Sequence, residues 1–137
     1  MAHNQIGYSG KLLHEKLGIK EGMAGLFLNV PSEYKKYARH FPKTMPASSN
    51  LDFIHYFAKE KKDLERDISS LKKKLKDNGM LWISWPKKGS NLKSDLNENI
   101  IREVILGQGM VDIKVCAVDE VWSGLKIVIR KENRNAL

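Results

Sequence analysis

The sequence predicts an α/β fold: a three-layer α/β/α sandwich around a mostly parallel sheet of about five strands, with a reversed C-terminal strand. Two observations predict it. Apolar, strand-like runs alternate with amphipathic helical segments over most of the 137 residues, which is the pattern of parallel strands joined by crossover helices. The last two runs, 111–118 and 125–131, have too short a connection for a crossover, so we expect antiparallel neighbours.

The elements follow from hydrophobic periodicity and from helix start and stop signals. In the clearest helix, Leu64, Ile68 and Leu71 recur every three or four residues, and Gly79 follows as the terminator. The predicted bounds are helix 9–18 capped by Ser9 and ended by Gly18, strand 24–30, a helix from Ser32, strand 52–58, helix 60–77, strand 80–85, a helix that Asp95 and Glu98 open as a capping box, strand 111–118 and strand 125–131.

Length and composition predict one α/β domain over residues 1–137. A hydrophobic fraction of 42% is enough to bury a core without disulfides or metals. We expect residues 1–22 to form a helical extension and 132–137 to form a frayed tail. A cytoplasmic location and no membrane contact are expected, because Cys116 has no internal partner and no secretory signal or spanning apolar stretch is recognised.

The carboxyl ends of the parallel strands should share one edge of the sheet, where open α/β sheets bind ligands. The loops after residues 30, 58, 85 and 118 therefore meet at one rim. Two polar clusters, Ser84–Lys88 and Asp119–Gly124, are distant in sequence. Because the reversed last strand starts at the same rim, we expect these clusters to come together there. The candidate ligand-binding residues are Asn29, Ser84, Trp85, Lys87, Lys88, Asp119, Glu120, Trp122 and Ser123.

The charged candidates have both functional and structural interpretations. Lys87 and Lys88 can bind a phosphate or carboxylate, or can be two solvated lysines on a loop. Asp119 and Glu120 are weak catalytic candidates. They can orient a cation or a sugar hydroxyl, act as an acid and base pair, or cap backbone amides in a turn.

Tryptophan placement follows from the two-residue period of a strand. Trp82 and Trp85 should point to opposite faces of the sheet, so they cannot line one wall together, and Trp82 is expected in the core. We expect Trp122 in the turn between the last two strands, where it can offer a stacking surface or pack against a neighbouring loop.

No motif predicts a metal or a conventional cofactor. The four histidines are scattered, and Cys116 has no companion at ligand spacing. The turn after the first strand, 28–33, contains no glycine, whereas nucleotide-binding turns use glycine so that the backbone can approach phosphates. No cofactor is therefore predicted.

The net charge of +8 raises the possibility of binding to polyanions. Much of the excess lies on helix 60–77, where lysines are mixed with acidic residues in the manner of a solvated helix face. Specific nucleic-acid binding is not expected. Non-specific polyanion binding through this helix is the third functional alternative, and it predicts an affinity that falls steeply with salt.

Several strings resemble an uncharacterised bacterial family known only as a domain of unknown function. They are Gly7–Gly10, Lys16–Lys20, Trp82–Lys88, Ile101–Val104, Val115–Glu120 and Trp122–Lys126. The resemblance covers nearly the whole chain, and it implies no activity.

At the level of fold, the chain is similar to the later part of class I methyltransferases, which bind S-adenosylmethionine. This similarity implies a sheet order of 1-2-3-5-4 for the five strands and makes S-adenosylmethionine a possible cofactor. The sequence lacks the glycine-rich first turn, and it lacks the following strand whose terminal acidic residue would hold a ribose. Both departures disfavour that cofactor.

The leading functional hypothesis is a binding domain whose rim accepts an anionic small molecule or an acidic segment of a partner protein. Lys87, Lys88 and Trp122 would make the contacts, with Asp119 and Glu120 shaping the rim. The alternative is a degenerate or minimal methyltransferase-like enzyme that uses Asp119 or Glu120 as a base. A monomer or a homodimer is compatible with either hypothesis.

Overall fold

A computed structural model describes residues 12–134, except for the side chain of Tyr37. Within that range the chain forms one mixed sheet with helices on both faces. The helices are α1 (Leu13–Leu17), α2 (Ser32–Ala38), α3 (Lys61–Lys74) and α4 (Glu98–Leu106), and a 3₁₀ turn covers Lys131–Asn133. The strands are β1 (Ala24–Leu28), β2 (Met45–Pro46), β3 (Leu51–Phe57), β4 (Leu75–Pro86), β5 (Met110–Ala117) and β6 (Trp122–Ile129).

The strands lie in the order β2-β1-β3-β4-β6-β5. Pairing is parallel from β2 to β4, and β6 is antiparallel to both of its neighbours. The predicted order of the five longer strands and the single reversed strand are thus confirmed. The prediction missed β2, an edge strand of two residues, because so short a segment has no periodicity to detect.

Two apolar layers enclose the sheet. Leu64 and Ile68 of α3 and Ile101 of α4 belong to one core cluster, and Leu17 of α1 and Tyr34 of α2 belong to the other. Trp82 and Trp85 are both buried, one in each cluster, as the strand period predicts. The predicted three-layer arrangement is therefore confirmed.

Helix α3 ends earlier than predicted, and β4 starts directly after it at Leu75. Gly79 is therefore within the strand and does not terminate the helix. A Cβ at Gly79 would lie 2.7 Å from the backbone oxygen of Leu51 on β3, so this glycine permits the close approach of two strands. The register between them shifts at the same place, between Leu51 and Phe53.

The predicted capping box at the start of α4 is wrong. The cap is Asn97, whose side chain accepts a hydrogen bond from the backbone N–H of Ile100. Asp95 instead accepts from the backbone N–H of Lys61, at the start of α3, over 2.7 Å. A carboxylate caps whichever helix start lies within reach, and here tertiary contact outweighs sequence spacing.

Both ends of the β5–β6 hairpin differ from expectation. Trp122 begins β6, so Trp122 and Ser123 lie in a strand and the turn covers 118–121. The expected frayed tail starts within a bonded turn, where the side chain of Asn133 donates to the carbonyl of Gly109. Near the N-terminus, Gly18 ends α1 with φ 76°, as predicted. The predicted cap of that helix, Ser9, lies outside the described residues.

Candidate functional site

A cleft of about 990 Å³ lies where the direction of chain connection reverses in the sheet. From β1 the chain passes to β2 on one side, and β3 then lies on the other side of β1. Open α/β sheets bind ligands at such a switch point, outside the carboxyl ends of the strands. The lining residues come from all four loops that were predicted to meet: Asn29, Pro31, Ser32, Glu33, Phe57, Ala58, Lys59, Glu60, Asp63, Arg66, Asn91, Leu92, Lys93, Asp119, Val121 and Trp122.

Asn29 joins the two strands of the switch point. Its side-chain amide donates to the carbonyl of Phe57 over 3.2 Å, from the end of β1 to the end of β3. Its backbone is left-handed, with φ 58°, a conformation that asparagine adopts more readily than most residues. The turn therefore obtains from asparagine the backbone geometry that the missing glycine would otherwise supply.

The floor of the cleft is aromatic. The rings of Phe57 and Trp122 meet edge to face with centroids 5.2 Å apart, and both side chains are almost fully buried. Asp119 holds Trp122 in place, because its Oδ1 accepts from the backbone N–H groups of Val121 and Trp122, each over 2.8 Å. Edge-to-face packing and the carboxylate turn together fix a rigid apolar surface.

The loop after β4 forms a wall of the cleft and is fastened to the end of β3. The carbonyl of Lys59 accepts from the hydroxyl of Ser94 over 2.6 Å and from the backbone N–H of Asp95 over 3.3 Å. These bonds place Lys93, the neighbour of Ser94, on a wall of the cleft that Lys59 also lines. Two lysines that are 34 positions apart in sequence thus line the same cleft.

The charged side chains that line the cleft differ in whether they have an ion-pair or hydrogen-bond partner. Glu33 pairs with Lys36, Glu60 with Lys62 and Asp63 with Arg66, at 3.1, 3.7 and 3.1 Å. Asp119 accepts two backbone hydrogen bonds. Within residues 12–134, by contrast, Lys59 and Lys93 form no ion pair, and both are exposed. The cleft therefore presents two ammonium groups that no carboxylate neutralises directly.

A buried hydrogen-bond chain lies beneath the floor. Nδ1 of His55 is 2.9 Å from the hydroxyl of Tyr34, and Nε2 is 2.7 Å from Oγ of Ser84. The ring of His55 stacks on Phe57 with centroids 4.2 Å apart. Burial lowers the pKa of His55 to about 3, so the ring is neutral at physiological pH and offers one donor and one acceptor.

This hydrogen-bond chain was not predicted from the sequence, although the sequence contains a signal for it. His55 alternates with Phe53 and Phe57 on one face of a strand, which predicts burial of the histidine. A buried imidazole requires hydrogen-bond partners, so polar residues on neighbouring elements could have been sought. The periodicity alone does not reveal that Tyr34 and Ser84 are those partners.

The structure gathers some of the candidate residues at the cleft. Asn29, Asp119 and Trp122 line it. The two polar clusters do meet, since the backbone N–H of Lys87 donates to the carbonyl of Val121 over 2.7 Å. Their contact is a pairing of backbones, and it leaves most of the side chains of both clusters outside the cleft.

Six candidates do not line the cleft. Ser84 is fully buried against His55, and Trp85 belongs to the core cluster on the opposite face of the sheet. The remaining four lie outside it on the hairpin and on the loop after β4: Lys87, Lys88, Glu120 and Ser123. The cationic lining is provided by Lys59 and Lys93, not by the two lysines that follow Pro86.

Neither a metal cluster nor a membrane-spanning helix is found in the described part of the chain. No group of three or more histidine, cysteine, aspartate or glutamate residues within 12–134 is arranged to hold a metal ion. None of the helices there is long and apolar enough to cross a membrane.

Residues 48–131 match the sequence family described as "Protein of unknown function (DUF3052)". The match covers more than half of the chain. The chain belongs to this family. The matched residues include strands β3 to β6, and hence every cleft residue except those of the loop after β1 and the start of α2. No protein of curated function shows significant similarity to the chain.

Solved structures with the same fold include several methyltransferases. An S-adenosylmethionine (SAM)-dependent methyltransferase from Aquifex aeolicus has a TM-score of 0.62 at 14% identity, covering 84% of this chain and 87% of that one. A magnesium protoporphyrin IX methyltransferase from Synechocystis, solved with bound SAH, has a TM-score of 0.56 at 10% identity, covering 80% and 74%. At these identities the likeness establishes a methyltransferase-like α/β fold.

Proposed function

We propose that this protein is a small-molecule-binding domain whose ligand carries an anionic group and a flat apolar part, and that the ligand occupies the cleft at the switch point. The observation that carries the proposal is the presence of two exposed, unpaired lysines above an aromatic floor. Lys59 and Lys93 supply the positive charge, and Phe57 and Trp122 supply the apolar surface.

Because the lining carries four carboxylates and three cations, charge favours an anion only where Lys59 and Lys93 lie. Three of those carboxylates have a cation within 4 Å, and the fourth accepts backbone hydrogen bonds. Exposed pairs of this kind are weak, so the carboxylates also discourage a ligand that is anionic along its whole length. A ligand with one localised anionic group, held at Lys59 and Lys93, satisfies both conditions.

Preorganisation supports binding at this place. Asn29 ties β1 to β3, Asp119 fixes Trp122, and Ser94 fastens the loop that carries Lys93. Binding loses less conformational entropy when the wall and floor are already ordered. The cleft volume, about 990 Å³, also lies at the upper end of the range of sites for small molecules and cofactors.

S-adenosylmethionine is the second candidate, because proteins of this fold have been solved with SAM or SAH bound. The residues fit it in part. Asn29 supplies a left-handed turn, but its side chain bridges the two strands where a glycine would leave the backbone open. After β2 the chain continues Ala47-Ser48-Ser49, without a carboxylate to hold a ribose. We therefore derive no methyl-transfer step.

A thermal-shift panel tests the proposal. The panel contains aromatic carboxylates, adenosine monophosphate, S-adenosylmethionine and uncharged aromatic amides of similar size. A ligand at one hundred times its dissociation constant should add about 2.7 kcal/mol to the free energy of unfolding. We expect hits among the aromatic anions and none among the amides. A panel without any hit contradicts the proposal.

Two matched double variants locate the site. Lys59→Gln/Lys93→Gln should abolish the shift that a hit produces, while Lys87→Gln/Lys88→Gln removes the same charge outside the cleft and should leave it unchanged. A loss in the second variant alone would overturn the assignment to the cleft and favour the rim lysines. Equal partial losses in the two variants, together with an affinity that falls steeply with salt, would instead indicate non-specific electrostatic binding.

A further inference from the structure

A pair of lysines face each other across the β5–β6 hairpin, away from the cleft. Lys114 of β5 is in register with Lys126 of β6, and Lys126 is in register with Trp82 of β4. Residues directly opposite each other share a face, with Cβ atoms about 5 Å apart, and like charges in that position destabilise a sheet. Within 12–134 neither lysine forms an ion pair.

The described residues cover the face that carries these lysines only in part. Val111, Cys116 and Val128 lie on it and are only partly buried. The opposite face of the same hairpin contains Leu125 and Ile127, which are fully buried in the core cluster that includes α4. The side of the hairpin that packs against α4 thus buries Leu125 and Ile127, although Val115 on the same side is 50% exposed. The other side presents partly exposed apolar side chains next to two cations.

The acidic residue of β5 does not reduce the repulsion between Lys114 and Lys126. Asp112 is in register with Ile127, on the covered face, where it accepts from Nε of Arg102 over 2.9 Å. A third cation lies close by, since Nζ of Lys16 donates to the carbonyl of Ala117 over 3.2 Å. Burial raises the pKa of the Cys116 thiol, and the positive charges of Lys16 and Lys114 offset part of this rise.

We propose that the face of the β5–β6 hairpin that carries Lys114 and Lys126 is a docking surface for an acidic segment of a protein partner, held by these two lysines. A carboxylate placed between the two ammonium groups relieves their repulsion. Val111 and Val128 give apolar contact area that a peptide can use and a phosphate backbone cannot. The surface therefore fits a segment in which acidic and apolar residues are interspersed.

The partner should lie on the face and not extend the sheet. β5 is an edge strand, but its register shifts between Asp112 and Lys114, and this irregularity interrupts the regular ladder that an added strand would need. Lys126 shows the effect of the unrelieved charge, because burial and then the charge of Lys114 lower its pKa. Binding of an acidic segment should reverse the second effect.

Fluorescence anisotropy with a labelled glutamate-rich peptide containing interspersed leucines tests the proposal, with a glutamine-for-glutamate peptide as the uncharged control. Lys114→Gln/Lys126→Gln should weaken binding at least about tenfold, the effect of about 1.4 kcal/mol. Lys73→Gln/Lys74→Gln, which removes the same charge from α3, should change it less than about twofold. Removal of the repelling pair should not lower the melting temperature, so lost binding cannot be ascribed to unfolding.

A second readout is specific to the lysine pair. The ammonium of Lys126, followed by NMR through a pH titration, should show a higher pKa when the glutamate-rich peptide is bound. The proposal is overturned if the peptide does not bind at low salt, or if both double variants weaken it equally. It is also overturned if Lys59→Gln/Lys93→Gln alone abolishes binding, or if double-stranded DNA binds as tightly with the same dependence on Lys114 and Lys126.

Discussion

Nε2 of His55 lies 2.7 Å from Oγ of Ser84, inside the sheet and directly below the floor of the cleft. This bond joins β3 to β4, and the bond between His55 and Tyr34 extends the chain to α2. Two elements that line the cleft, α2 and β3, are therefore connected to β4 by one imidazole. Because that imidazole also stacks on Phe57, it supports the floor from below.

The buried imidazole should make stability depend on pH. Burial lowers the pKa of His55 to about 3, whereas an unfolded histidine titrates near 6.5. The unfolded state therefore binds more protons between these values, and stability falls as pH decreases through about 6.5, by up to about 1.4 kcal/mol per unit. Urea denaturation at about pH 7.5, 6, 5 and 4 measures the slope, because these settings run from above the unfolded pKa well into the interval between the two pKa values.

Two substitutions separate titration from hydrogen bonding. His55→Gln removes the titrating group. The free energy of unfolding of this variant, although lower, should depend less on pH. Ser84→Ala leaves a ring nitrogen without its partner, so we expect a loss of about 1–3 kcal/mol with the slope retained. An unchanged slope in His55→Gln would show that another group causes the dependence.

Gly25→Ala should destabilise the protein by about 1–3 kcal/mol, the usual cost of overpacking. An added Cβ would lie 2.1 Å from Cε2 and Cζ of Phe53, a ring that is fully buried. Gly89→Ala is the matched control, since nothing lies within 4 Å of its Cβ position. Thermal denaturation compares the two variants, and Phe53→Leu combined with Gly25→Ala should recover part of the loss.

Asp119→Ala should lower stability by about 1–3 kcal/mol, because two backbone N–H groups lose a charged acceptor. Glu120→Ala changes the adjacent, exposed carboxylate and should stay within about 0.5 kcal/mol. Chemical denaturation measures both. Equal losses of stability in the two variants would contradict the structural role of Asp119. They would favour the earlier interpretation of Asp119 and Glu120 as two equivalent carboxylates.

Asp95→Ala and Asn97→Ala should loosen different helices. Asp95 caps α3 through Lys61, and Asn97 caps α4 through Ile100. Each loss should cost about 1 kcal/mol. Amide hydrogen exchange distinguishes them: Asp95→Ala should speed exchange in the first turn of α3, and Asn97→Ala in that of α4. Faster exchange at α4 in both variants would contradict this assignment and support the capping box of Asp95 and Glu98 that the sequence spacing predicts.

The fold was predictable from the sequence because its main signals are periodic and local. The opposite faces of Trp82 and Trp85 follow from the two-residue period of any strand, whichever strands are its neighbours. The reversed strand follows from the short connection before it, since no crossover fits there. Both arguments need only neighbouring residues, and both are confirmed.

The site was harder to predict because its geometry depends on contacts between residues that are far apart in sequence. Lys93 reaches the cleft only because Ser94 bonds to the carbonyl of Lys59, and no local pattern encodes that contact. Asp95 has good capping spacing for α4 but a nearer helix start in space. For His55, the strand period predicts burial while its two partners come from other elements.

The indole signals of the three tryptophans give the most direct test of the central claim, that the cleft binds a flat anionic ligand at Lys59, Lys93 and Trp122. In ¹H–¹⁵N spectra recorded during titration with an aromatic carboxylate or adenosine monophosphate, the Trp122 indole and the backbone amides of Lys59 and Lys93 should move together. The Trp85 indole, on the far face of the sheet, should not. Shifts confined to the loop of Lys87 and Lys88, or no shifts with any aromatic anion, would contradict the account.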